Sequence, residues 1–178
     1  MAAFPKPRTN DEARDLITKF VRGYAAAIPQ NNFDQAFYKA CVCASATLET
    51  DSETAKAVFR LVIPPTFVNS PDPANPTIHG GAIAHFFDSC TSMPLLCVKN
   101  IWDGSWSGVS RNLNVTYLRP PKEGEVIVIE SEVIQSSRNI ATIRGVMIRE
   151  SDGKLLATCQ HDKAKPHRPG PRILPVKL

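Results

Sequence analysis

The chain has 178 residues, 43% apolar and 21% charged, enough for one domain with a sizeable core. The formal net charge of +4, from 21 basic and 17 acidic residues, is too mild to indicate a nucleic-acid binder. Five of the basic residues (Lys163, Lys165, Arg168, Arg172 and Lys177) crowd the C-terminus, where they are expected to be solvated charges on a loose end.

The five cysteines, Cys41, Cys43, Cys90, Cys97 and Cys159, form no CxxC pair and no Cys/His cluster. That pattern excludes a disulfide framework and structural zinc, and predicts buried free thiols in a reducing compartment. No apolar stretch is long enough to span a bilayer. Met1–Arg8 carries charge without a following apolar run, so no secretory signal is expected. Val176-Lys177-Leu178 is similar to a peroxisomal address, with valine where a small residue is expected. The expected location is cytoplasmic, with peroxisome or mitochondrion as alternatives.

Along the chain, Thr9-Asn10-Asp11-Glu12 reads as a helix start with Glu12 placed for a capping box. Leu16, Ile17, Phe20, Val21 and Tyr24 then recur at helical spacing up to Pro29. The stretch Phe33 to Lys39 is ambiguous. Residues 41–50 and 55–63 read as two strands joined by the polar turn Asp51-Ser52-Glu53, with Pro64 and Pro65 ending the second. After the proline-rich loop at 70–76, an apolar helix is expected from about Gly81 to Val98, kinked at Pro94, which removes one helical N–H. Beyond a loop with Trp102, Gly104 and Trp106, four strands are expected at 107–118, 125–135, 140–150 and 155–165. Their short breaks predict that consecutive strands are antiparallel neighbours, and the Asp152-Gly153 break is a hairpin signal. A helix this apolar must be covered nearly all round, which an antiparallel sheet curled about it achieves. Val126-Ile127-Val128-Ile129 is apolar on both strand faces, so the outer face is expected to be covered in part by a partner subunit or the N-terminal helix.

The stretch Thr77-Ile78-His79-Gly80-Gly81-Ala82-Ile83-Ala84-His85-Phe86-Phe87-Asp88 holds the chemistry. Two glycines open the apolar helix, whose first N–H groups favour negative charge. Asp88 is a carboxylate on an otherwise apolar, mostly buried helix, which is costly unless paired or useful. An anion-stabilising helix end and such an acid are the equipment for attacking a carbonyl. His85, Asp88 and Ser92 fall on one helical stripe. No GxSxG elbow is present, which disfavours a serine hydrolase.

The His-Gly-Gly to Asp88 spacing, the Gly108-Val109-Ser110 step and the run Asn114-Val115-Thr116-Tyr117-Leu118-Arg119-Pro120 resemble the hotdog-fold acyl-CoA thioesterases, of the phenylacetate-pathway and thioesterase superfamily member two types. The resemblance covers roughly residues 41–165. It implies an α+β hotdog fold, an antiparallel sheet wrapped around a long central helix. Residues 1–40 are then an N-terminal helical extension and 166–178 a basic, proline-rich tail.

By this resemblance Gly80 supplies a backbone N–H to the thioester oxygen, Asp88 is general base or nucleophile, and Ser110 orients the attacking water. His79, Gly81, His85 and Ser92 are candidate substrate contacts; His79 equally suits a cap on the turn before the helix. Where the family often has asparagine six residues before the histidine, this chain has Pro73, and Asn75 is the candidate substitute. Arg119, Lys122 and Arg138 are candidates for coenzyme A phosphates or solvated surface charges. Trp102 and Trp106 either line an acyl pocket or pack within a loop. No metal and no cofactor are expected, coenzyme A entering only as part of the substrate.

Gly80 and Asp88 stand eight residues apart, about 12 Å along one helix. If both act on one carbonyl they come from different subunits, so a homodimer, or a tetramer of dimers, is expected. The substrate is an acyl-CoA or an acyl group on a carrier protein. Alternatives are a hotdog dehydratase or hydratase, a biosynthetic chain-release or tailoring enzyme, and a non-catalytic acyl-binding protein.

Overall fold

A computed structural model describes residues 6–49, 53–69, 72–98, 102 and 108–166. Asp51, Ser52, Ser70, Pro71, Gly104, Trp106 and the tail beyond Pro166, with its Val176-Lys177-Leu178 end, lie outside the described residues.

The first helix, α1, spans Asn10–Ala27. Thr9 caps it, its side chain accepting from the Glu12 N–H at 3.1 Å. Glu12 reaches back one residue further than a capping box requires, to the Arg8 N–H at 2.7 Å. Ala13, Ile17, Phe20 and Val21 form its buried stripe. A short helix α2, Gln35–Ala40, resolves the ambiguous stretch.

Six strands follow: β1 (Val42–Leu48), β2 (Ala55–Val62), β3 (Val109–Tyr117), β4 (Val126–Ser136), β5 (Ile140–Arg149) and β6 (Leu155–Ala164). They form one antiparallel sheet in the order β1-β2-β4-β5-β6-β3. The expectation that consecutive strands are neighbours fails between β3 and β4. Pro120 and Pro121 lack the N–H groups a tight hairpin would use. The connection instead pairs with the segment before the central helix, Thr77 bridging to Lys122 and Ile78 N–H donating to Pro121 O at 3.1 Å. It carries the chain from the β6–β3 edge to the middle of the sheet.

The central helix α3 spans Gly80–Ser92 and is continued by a tighter 3₁₀ segment, Met93–Cys97. The expected α-helix to Val98 with a kink is therefore corrected. Pro94 sits in the first turn of the 3₁₀ segment, where its missing N–H costs nothing. Phe86, Phe87 and Cys90 of α3 are fully buried against the sheet's inner face, where Ile127, Ile129 and Ile143 are equally buried. Gly145 lets the helix approach: a Cβ there would stand 2.8 Å from Phe87 Cδ1 and 2.7 Å from Cys159 Sγ.

On β4, Ile127 and Ile129 face inward while Val126 and Val128 are half-buried on the outer face. Val128 stands between Arg60 of β2 and Ile148 of β5. Arg60 forms a bidentate pair with Glu150, at 2.6 and 2.8 Å. Helix α1 packs against β1, α2 and the 3₁₀ segment. All five cysteines are buried and unpaired. No described helix is long and apolar enough to cross a membrane.

Candidate active site

The amino end of α3 is shaped by His79. Its backbone is extended (φ −64°, ψ 137°), and its Nδ1 accepts from the Gly81 N–H at 2.9 Å. A Cβ on Gly81 would stand 2.8 Å from that nitrogen, so the bare glycine lets the imidazole fold over the turn. Ala82 and Ile83 donate to His79 O. The Gly80 N–H is left without a partner among the described residues, at the positive end of the helix. The Tyr117 hydroxyl, on β3, donates to Gly80 O at 3.1 Å. At the same end Lys122 Nζ donates to Asn75 Oδ1 at 2.9 Å, and Asn75 Nδ2 donates to Asp72 Oδ2 at 3.1 Å. The Arg119 guanidinium donates to Leu155 O at 2.8 Å. Arg138 is exposed in the β4–β5 turn, at the opposite end of the sheet.

Two helical turns on, Asp88 meets β3. In β3, Leu113 pairs with His161 and Asn112 with Asp162, but Ser110 pairs with Lys163, leaving Arg111 as a bulge. Side chains alternate along a strand, and one extra residue reverses the alternation. The bulge thus turns Ser110 to the inner face, where its hydroxyl donates to Asp88 Oδ1 at 2.8 Å. Two residues of β6 close the cluster. His161 Nε2 lies 3.0 Å from Ser110 Oγ and 3.4 Å from Asp88 Oδ1, and its Nδ1 lies 2.6 Å from Thr91 Oγ1. Lys163 Nζ donates to Ser92 Oγ at 2.8 Å and to Ser110 Oγ at 3.3 Å. Ser92 in turn donates to Asp88 O at 2.6 Å.

Exposure separates the roles. The Asp88 side chain is 47% exposed, whereas His161 is 0% exposed behind it. Asp88 is therefore not the buried acid that the apolar helix suggested; it stands where the helix emerges beside the edge strand. Burial, then the Lys163 ammonium, push the His161 pKa down to about 4, with Asp88 and Asp162 pulling the other way. Burial also lowers Lys163, opposed by Asp88.

The structure brings Asp88, Ser92 and Ser110 together, and places Gly80, Gly81, His79, Asn75 and Lys122 at the other end of α3. His85 leaves the stripe: it lies among Phe33, Phe37 and Phe86, ring centroids 4.8, 5.2 and 6.0 Å away, with Nε2 3.5 Å from Asp34 Oδ1. Trp102 is buried against Gly108, whose φ of +67° and lack of Cβ both suit the contact. His161 and Lys163 were invisible in the sequence, and composition had grouped Lys163 with the loose tail. The strand Cys159-Gln160-His161-Asp162-Lys163 is polar on both faces, so periodicity does not say which face is inside. Among the described residues no group of three or more His, Cys, Asp or Glu side chains is placed to hold a metal ion.

Residues 75–156 match the family described as Thioesterase superfamily. Acyl-coenzyme A thioesterase 13 of Homo sapiens is 36% identical over 87 residues, 49% of this chain and 59% of that protein. Its Mus musculus counterpart is 34% identical over the same length, with the same shares of each chain. The match thus spans somewhat over half the length of these relatives. Among solved structures, zebra fish thioesterase superfamily member 2 superposes with a TM-score of 0.67 at 23% identity, covering 90% of this chain and 100% of that one. Thioesterase superfamily member 2 from Mus musculus gives 0.61 at 26% identity, covering 84% and 98%. With its sheet wrapped around α3, the chain has the hotdog fold of these solved structures, and residues 75–156 are the stretch similar to the Thioesterase superfamily.

Proposed function

We propose that the protein hydrolyses acyl thioesters, carried on coenzyme A or on a carrier protein, to a free acid and a thiol. The observation that carries this reading is the half-exposed Asp88 carboxylate held by Ser110 at 2.8 Å, on the same helix whose amino end presents the Gly80 N–H. Asp88 takes a proton from a water held with the help of Ser110, and the water oxygen attacks the thioester carbon. The carbonyl oxygen becomes an oxyanion, stabilised by the Gly80 N–H and the positive end of α3. The intermediate collapses with cleavage of the C–S bond, and the thiolate receives the proton held by Asp88. Coenzyme A enters only as part of the substrate.

Within one chain Gly80 and Asp88 are about 12 Å apart along α3, too far for one carbonyl. A homodimer that joins Gly80 of one copy to Asp88 of the other meets the requirement. Strand β3 supports this arrangement. It is an edge strand lying beside both ends of the site, and Val109 and Tyr117 are 57% and 52% exposed on it. Arg119 and Lys122 at the Gly80 end, and the exposed Arg138, are the cations available to a phosphate-bearing thiol.

A dehydratase or hydratase would need a histidine at the substrate. His161 does approach Asp88, but it is buried behind Ser110 and touches the serine, which favours hydrolysis. The test is thiol release from a panel of acyl-CoAs and acyl-carrier proteins by the wild type and Asp88→Asn. Release by the wild type, reduced about 10²- to 10⁴-fold in the variant, is expected. Binding without turnover in both proteins would indicate an acyl-binding protein, and turnover restricted to carrier-bound substrates would indicate a chain-release enzyme.

A further inference from the structure

Ser110 has one proton to give and three polar neighbours. Asp88 Oδ1 accepts it at 2.8 Å, while His161 Nε2 at 3.0 Å and Lys163 Nζ at 3.3 Å complete the surroundings of the oxygen. Ser92 is held in the same way, receiving from Lys163 at 2.8 Å and donating to Asp88 O at 2.6 Å. Both serine protons point at Asp88, and the same nitrogen stands behind both oxygens. We propose that Lys163 is a positioning residue whose ammonium, wedged between Ser92 and Ser110, directs the Ser110 proton to the Asp88 carboxylate and the Ser92 proton to the Asp88 main-chain carbonyl, and so holds the carboxylate ready for the water. This rests on the reading of the protein as a thioester hydrolase with Asp88 as its base.

The chemical reason lies in the lysine's lone pair. An ammonium has three donors and no acceptor, so a serine facing it must turn its own proton elsewhere. A neutral amine has a lone pair that accepts the Ser110 proton, and the hydroxyl can then swing away from Asp88. Lys163 is 4% exposed, which makes it a costly place for a cation without a task. The groups facing it are Asp88 and Ser92 from α3, Ser110 from β3, His161 from its own strand, and the apolar Ala141 opposite it on β5. Asp88 is the only carboxylate among these, and it favours the charged form. Burial acts the other way and brings the loss of the proton below the usual lysine range.

The experiment is steady-state thioester hydrolysis against pH for the wild type, Lys163→Met and Lys163→Arg, with melting temperature and oligomeric state recorded for each. In the wild type kcat is expected to fall on the alkaline side, below the usual lysine range. Lys163→Met, of similar length and apolar, is expected to lose about 10- to 100-fold in kcat with KM nearly unchanged, and to lose the alkaline fall. Lys163→Arg keeps a permanent cation and is expected to recover much of kcat while the alkaline fall disappears. A Lys163→Met protein that melts like the wild type and keeps its kcat and alkaline fall overturns the proposal. If neither variant folds, the wild type still decides: a profile flat through the usual lysine range overturns the proposal. A wild type that releases no thiol from any substrate overturns the hydrolase reading itself, an outcome distinct from active wild type with an indifferent Lys163.

Discussion

Ser110 is a small residue with a large share of the site, because one hydroxyl joins Asp88 of α3 to His161 and Lys163 of β6. Its histidine neighbour makes a prediction about stability. His161 stays neutral in the folded protein down to about pH 4, since burial and the Lys163 ammonium oppose its protonation. In the unfolded chain the same imidazole takes up a proton near the ordinary value of about 6.5. Between these two pH values the unfolded state binds more protons, so folding stability falls as pH falls. Urea unfolding at several pH values is expected to show up to about 3 kcal/mol of loss over this window, and a shallower loss in His161→Gln. Equal slopes for the two proteins would show that the imidazole titrates freely.

At the scale of elements, the decisive feature is a strand with one residue too many. The bulge at Arg111 re-aims β3, so that Ser110 rather than its neighbour stands opposite Lys163. Deleting Arg111 takes out the extra residue and leaves Ser110 opposite Lys163 in regular alternation, so the serine keeps its inward aim. Thioester hydrolysis is then expected to stay within a few-fold of wild type, whereas Ser110→Ala loses about 10²-fold, both proteins remaining folded by circular dichroism. A loss in the deletion as large as that of Ser110→Ala would show that the pairing with Lys163 is not what aims the serine. The proline-rich connection from β3 to β4 belongs to this scale too. It makes β3 an edge strand beside β6, and so leaves one flank of the site open.

For the molecule as a whole, the separation of Gly80 from Asp88 predicts shared sites. Gly80→Pro is a selective probe. It deletes the N–H at the first helical position, where proline is tolerated, and His79 already has the extended backbone that a following proline requires. Alone it is expected to cost about 10²- to 10³-fold in kcat with little change in melting temperature. Co-expressed with Asp88→Asn, it is expected to regain about one quarter of wild-type activity, because half the dimers are mixed and each mixed dimer has one intact site. No recovery in verified mixed dimers would mean that each site lies within one chain.

The sequence by itself determined the elements and the acid end's principal member. Hydrophobic period, proline and glycine breaks and the cap at Thr9 are local signals, and they place α1, all six strands and the amino end of α3 within a few residues. The His-Gly-Gly step marks the helix amino end, because only residues without a Cβ at Gly81 let His79 fold over the turn. What the tertiary structure decided is non-local. The position of β3 at the edge depends on where a proline-rich connection finds partners for its backbone. The inward aim of Ser110 depends on a register shift that leaves no trace in residue type. The burial of His161 and Lys163 depends on which face of a strand, polar on both, is laid against α3. Local sequence records the preferences of each segment, whereas these three outcomes are set by how segments far apart in the chain compete for the same inner face.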